Sequence, residues 1–215
     1  MNNNLTELVF ILDRSGSMAG LEEDTIGGFN AMVAKQKNGP GDALLSVVLF
    51  SDASKVLYDR VGIEKAEPMT DSQYQVGGCT ALLDAIGGAI HHIKNVHKYA
   101  REEDRPGRTL FVITTDGMEN ASRTYSYADV QRMIRHEQKK YGWEFLFLGA
   151  NMDAISAARS IGIDASRAVR YEADCQGTEL NYKVLNETIE SFRTGSSIRD
   201  GWSAPIMEDY RKRGK

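Results

Sequence analysis

Asp13, Ser15 and Ser17 alternate along the stretch Leu12-Asp-Arg-Ser-Gly-Ser-Met18. An extended backbone aims every second side chain the same way, so one carboxylate and two hydroxyls can converge on a point. Gly16 is expected to let the turn close. Two later segments offer the same chemistry. Gly77-Gly78-Cys79-Thr80 places a hydroxyl at the start of a helical pattern, and Thr114-Thr115-Asp116-Gly117 places a carboxylate after an apolar run. Hard oxygen donors of this kind suit Mg²⁺, which takes about six of them, and suit Zn²⁺ poorly. Mn²⁺ and Ca²⁺ are compatible with the same donors. Each residue also has an ordinary local explanation. Asp and Ser hydrogen-bond their own loops, a Thr after a Gly-Gly break can cap a helix, and Asp before Gly can belong to a turn. Three separate segments with one donor chemistry favour a shared cation site.

Each donor abuts an element that would position it. The run Val9-Phe10-Ile11-Leu12 reads as a strand covered on both faces, with Asp13 at the C-terminal end where an open α/β sheet binds ligands. The pattern predicts further strands over 43–50, 55–61, 109–114, 143–148 and 168–171, the first strand covering 5–12. Residues 55–61 alternate apolar and polar, as expected of an antiparallel edge strand hairpinned to 43–50. Helices are expected over 21–37, 80–99 with Thr80 at the N-cap, 127–141 ending at Gly142, 151–161 with Asn151 at the N-cap, and 178–192. Residues 63–76 read as loop or short helix. Strands alternating with helices give an α/β class: a doubly wound, mostly parallel sheet with one antiparallel edge strand and helices on both faces.

The 215 residues fit one large domain, taken as 1–195, followed by a polar C-terminal tail over 196–215. With 41% hydrophobic and 26% charged residues, the composition is that of an ordinary globular protein. A net charge of −4 argues against a nucleic-acid partner. Two cysteines, Cys79 and Cys175, are too few for a disulfide scaffold, so a reducing compartment is expected. The N-terminus lacks a basic segment with an apolar core, and no apolar run approaches the ~20 residues of a membrane span. A cytoplasmic location without a membrane partner is the expectation. His91, His92 and His97 share a predicted helix without the four-residue spacing of paired ligands, and are expected to be solvated or capping. No serine-hydrolase elbow, phosphate loop or dinucleotide fingerprint occurs, so catalysis is not expected.

Asp-x-Ser-x-Ser, then a Thr, then an Asp ending a central strand resembles the metal ion-dependent adhesion site (MIDAS) of the von Willebrand factor type A (vWA) domain. Here the pattern falls, in the family's order, on Asp13, Ser15, Ser17, Thr80 and Asp116, and the resemblance spans roughly residues 5 to 193. It implies the Rossmann-like vWA fold. It implies direct ligation by Ser15 and Ser17, direct or water-mediated roles for Asp13 and Asp116, and either for Thr80. It further implies an open metal position that a protein partner's carboxylate completes. The expected function is therefore a metal-dependent protein-interaction module with Mg²⁺ as its cation. Glu119, Asn120, Arg123 and Asn151 form the expected partner-binding rim. The alternatives are a metal-dependent hydrolase and an adaptor subunit working with an AAA-type ATPase.

Overall fold

The computed structural model describes residues 1–150 and 153–213. The first strand, β1 (Asn2–Asp13), decides the architecture. Leu8, Phe10 and Leu12 enter one hydrophobic layer, while Val9 and Ile11 enter the other. A strand apolar on both sides must be covered on both. The remaining strands are β2 (Asp42–Phe50), β3 (Ser54–Gly62), β4 (Pro106–Thr115), β5 (Glu144–Ala150) and β6 (Ala168–Tyr171). The sheet order is β3-β2-β1-β4-β5-β6. Every neighbouring pair is parallel except β2 and β3.

The helices are α1 (Glu22–Gln36), α2 (Leu82–Tyr99), α3 (Tyr127–Tyr141), α4 (Ala154–Ser160), α5 (Cys175–Arg193) and α6 (Ala204–Arg213). Phe29 of α1, Leu185 and Ile189 of α5, and Ile206 of α6 pack into the layer under Phe10. Ile86 and Ile90 of α2, Val130 and Ile134 of α3, and Ala154 and Ala158 of α4 fill the layer under Ile11. The fold class read from the sequence is the one observed. From β1 the sheet grows toward β2 on one side and β4 on the other, so the loops after β1 and β4 diverge and leave a crevice at their C-terminal ends. Asp13 and Asp116 stand there.

Several local expectations are corrected. Helix α2 begins at Leu82 with Ala81 in the cap position, so Thr80 is not its N-cap. Residues 63–76, by contrast, are the loop with a short helix that was expected, a single 3-10 turn over Ile63–Lys65, and Tyr74 within them is buried. Asp153 caps α4, accepting from the Ser156 N–H at 3.0 Å. A carboxylate suits the positive end of a helix. Asn151, expected in that role, lies outside the described residues.

The polar tail expected after 195 is instead part of the packing. Ile198, Trp202 and Ile206 recur every fourth residue and are buried in the same layer as Phe10. Arg213 closes the arrangement, its guanidinium 2.5 Å from Asp174, the residue that caps α5. Polar neighbours dilute the apolar spacing of this segment in the sequence. Among the described residues no helix is long and apolar enough to cross a membrane.

Candidate metal centre

Four loops meet beyond β1 and β4, and backbone hydrogen bonds fasten them. Arg14 N–H donates to Phe50 O (2.8 Å), Gly16 N–H to Gly78 O (3.0 Å), Gly77 N–H to Arg14 O (2.9 Å) and Ala81 N–H to Ser51 O (2.8 Å). The glycine this junction requires is Gly78, with φ at +82° and a site where a Cβ would lie 1.9 Å from Asp52 Oδ2. Gly16 does not need its freedom, since a Cβ there would make only an ordinary 3.4 Å contact with Gly78 O.

The five residues picked out by type and spacing come together at this junction. Asp13, buried at the end of β1, accepts from the Ser15 N–H at Oδ1 (2.7 Å) and from the Thr115 hydroxyl at Oδ2 (2.6 Å). The Tyr74 hydroxyl donates to the Asp13 carbonyl. The Ser15 and Ser17 hydroxyl oxygens are 3.1 Å apart, and Ser17 donates to Asp116 Oδ1 at 2.5 Å. A Cβ added at Gly117 would lie 2.8 Å from Thr80 Oγ1 and 3.2 Å from Ser17 Oγ. Those two hydroxyls therefore flank one small space that any larger residue at 117 would fill. Asp13, Ser15, Thr80 and Asp116 are buried while Ser17 is exposed, so the donors open to solvent on one side.

Asp116 Oδ2 is buried and has no hydrogen-bond partner among the described residues. Burial pushes the Asp116 carboxyl above its ordinary range, against the Ser17 hydroxyl that favours its ionised form. Burial also raises Asp13, and the nearby Asp116 charge adds to it; bonds from Thr115 and Ser15 work the other way. Two buried carboxylates side by side, one with an orphan oxygen, are costly without a compensating cation. Oxygen is the only donor element here, with no cluster of three His, Cys, Asp or Glu groups among the described residues. This donor set fits a hard divalent cation.

The expected rim behaves differently. Glu119 turns inward. Its Oε2 accepts from the Leu83 N–H (2.9 Å) and the Ser122 hydroxyl (2.7 Å), and its Oε1 accepts from Ala121 and Ser122 N–H. It thereby satisfies the open first turn of α2. Asn120 is also engaged, accepting from the Thr80 N–H at 2.8 Å and donating its own N–H to Thr80 O at 3.0 Å. Arg123 is exposed, and its guanidinium makes no hydrogen bond or ion pair among the described residues. Asn151 lies outside the described residues.

Sequence reasoning missed two supporting groups. Thr115 and Tyr74 orient Asp13. Asp84, one turn into α2, accepts from the N–H groups of Arg123 (2.9 Å), Thr124 (2.9 Å) and Tyr125 (2.8 Å). Burial acts to raise the Asp84 carboxyl, but these backbone donors outweigh it and hold it below the usual range. A hydroxyl beside Asp116 was a readable signal for Thr115; Tyr74 and Asp84 act across distances no local pattern encodes. At the far end of α2, His97 is buried against Glu7, with Nε2 3.1 Å from Oε2, where a solvated or capping histidine was expected.

No family model matches the sequence, and no curated protein does either. Solved structures do match. Proximal thread matrix protein 1 from the mussel byssus, with a zinc-occupied MIDAS motif, superposes with a TM-score of 0.58 at 16% identity, over 86% of this chain and 46% of that one. A von Willebrand factor type A protein from Catenulispora acidiphila gives 0.55 at 15% identity, over 86% and 42%. The ArnB paralog VWA2 from Sulfolobus acidocaldarius gives 0.55 at 18%, over 87% and 45%. This chain spans less than half the length of each. The likeness at these identities is one of fold, and the fold is that of vWA domains.

Proposed function

We propose that this chain is a metal-dependent protein-interaction module. Asp13, Ser15, Ser17, Thr80 and Asp116 would hold a divalent cation, and a partner's Asp or Glu side chain would complete the site. The observation that carries this reading is Asp116 Oδ2, a buried carboxylate oxygen left unpaired beside three converging hydroxyls. A bound cation supplies a Lewis-acidic centre whose attraction for a carboxylate is strong in a partly dry site. The chain's own residues do the rest. Thr115 and the Ser15 N–H fix Asp13, the Asn120–Thr80 pair fixes the second loop, and exposed Ser17 leaves the cluster open toward a partner. Arg123, on the loop after Asp116, offers an acidic partner a second cation.

Donor hardness favours Mg²⁺, with Mn²⁺ and Ca²⁺ as alternatives. The zinc-occupied motif of the mussel protein supports divalent occupancy of such a site. A reducing, cytoplasmic setting agrees with Cys79 and Cys175 being free, exposed thiols.

The test is calorimetric titration of Mg²⁺, Mn²⁺, Ca²⁺ and Zn²⁺ into the wild type and Asp116→Ala. An acidic peptide is then titrated with and without EDTA. Saturable metal binding that the variant loses, and peptide binding that EDTA abolishes, are the expected results. No metal binding at millimolar concentrations would sink the reading. Peptide affinity indifferent to EDTA would reduce the cation to a staple between loops.

A further inference from the structure

A cleft of about 380 Å³ opens at the N-terminal ends of β4 and β5, the pole of the sheet opposite the candidate metal centre. The C-terminal halves of α2 and α3 form its sides. Its walls carry an excess of cations: Lys94 and Lys98 from α2, Lys140 from α3, and Arg105 from the turn entering β4. Glu137, fully buried in the same wall, meets Lys94 at 3.0 Å. The other three have no carboxylate partner among the described residues. Lys98 and Lys140 stand over the rings of Tyr99 and Tyr141, each 5.0 Å from the centroid. Arg105 gives one N–H to Ala100 O at 3.3 Å, and its Nε is buried without an acceptor.

Cations in the last turn of a helix complement its dipole, which accounts for Lys98 and Lys140 in part. It accounts for Arg105 only in part, through the bond to the carbonyl of Ala100, the residue that caps α2, and not for a buried guanidinium N–H with no acceptor, which is costly. Three cations from three elements thus surround one cavity whose lining carries a single carboxylate, Glu137, already held by Lys94, in a chain whose net charge is −4. Trp143 supplies an apolar surface in the cleft, stacked on Phe111 at 5.4 Å and 21°. The volume falls in the range of small-molecule sites.

We propose that this cleft binds a small organic phosphate. Lys98, Arg105 and Lys140 hold the phosphate, Arg105 through its planar fork and the lysines as point charges. Trp143 and Tyr141 meet the organic body. The site is separate from the metal centre and does not depend on the reading of that centre.

ADP and inorganic pyrophosphate serve as probes, titrated by calorimetry at low ionic strength in EDTA so that no cation bridges phosphate to the other pole. The wild type is expected to bind ADP saturably, and more tightly than pyrophosphate. The double variant Lys98→Glu/Lys140→Glu is expected to lose about tenfold or more in affinity, the effect of one or more charge-assisted hydrogen bonds. Asp116→Ala should bind ADP as the wild type does. Both lysines are exposed, so the variant should melt like the wild type, and Lys98→Gln/Lys140→Gln replaces it if it does not. Absence of ADP binding in the wild type, or unchanged affinity in the charge variants, overturns the proposal. Pyrophosphate binding as tightly as ADP overturns the role given to the aromatic wall.

Discussion

At the scale of single residues, Asp116 ties the metal reading to stability. Its carboxyl and that of Asp13 are raised by burial. A carboxyl whose folded pKa lies above its unfolded value binds more protons in the folded state. Stability then falls as pH rises through the window between the two values, and the full penalty applies above it. The metal-free protein therefore carries this penalty at neutral pH. Asp116→Asn removes one buried charge and keeps an oxygen for the Ser17 hydroxyl. Metal-free Asp116→Asn is expected to be more stable than wild type at pH 7, on the order of 1 kcal/mol, and to show no metal-induced rise in Tm. Thermal melts with and without Mg²⁺ decide this, and a metal-free variant that melts lower would contradict the electrostatic account. The convergence of Asp13, Ser15, Ser17, Thr80 and Asp116 was legible because residue type and alternation are local properties. The inward turn of Glu119 and Asn120 was not, because their partners Leu83 and Thr80 lie 36 and 40 residues away.

At the scale of elements, α2 and the loop after β4 clasp each other. Glu119 and the Ser122 hydroxyl accept from the first-turn N–H groups of α2, and Asp84 of α2 accepts three N–H groups of the loop. This is the exchange of a capping box, made between distant segments rather than within one turn. It also explains why the start of α2 was misread from sequence. The eye finds a local cap in Thr80, whereas the acceptors come from residues 119 and 122. Asp84→Ala leaves three backbone donors without their acceptor and should cost about 1–3 kcal/mol, measurable by urea denaturation. Because the same loop carries Asp116, the variant should also bind metal more weakly. Helix α3 shows the opposite case: its Ser126–Asp129 capping box and its left-handed Gly142 are both local, and Gly142 was legible as its end.

At the scale of the whole molecule, the doubly wound class was legible because apolar strand runs alternate with helical spacing along the chain. The end of the chain was not, because Ile198, Trp202 and Ile206 are spaced among polar residues that suggest solvent. Ending the chain at Gly195 would uncover the surface these three residues cover and remove the Arg213–Asp174 pair. Burial of three large apolar side chains is worth roughly 5 kcal/mol or more, so the truncated chain should lose most of a typical domain's margin. Equilibrium unfolding of residues 1–195 against the full chain tests this, and an unchanged midpoint would return the segment to the status of a tail. The fastening of the loops around Asp13 and Asp116 has a kinetic consequence. Bonds such as Gly16 to Gly78 and Thr80 to Asn120 belong to the protein alone, so the cradle exists before any ion arrives. Loading then waits on the ion shedding its own water rather than on loops finding one another. Mg²⁺, which dehydrates reluctantly, should enter this site more slowly than Ca²⁺ even where it is held as firmly.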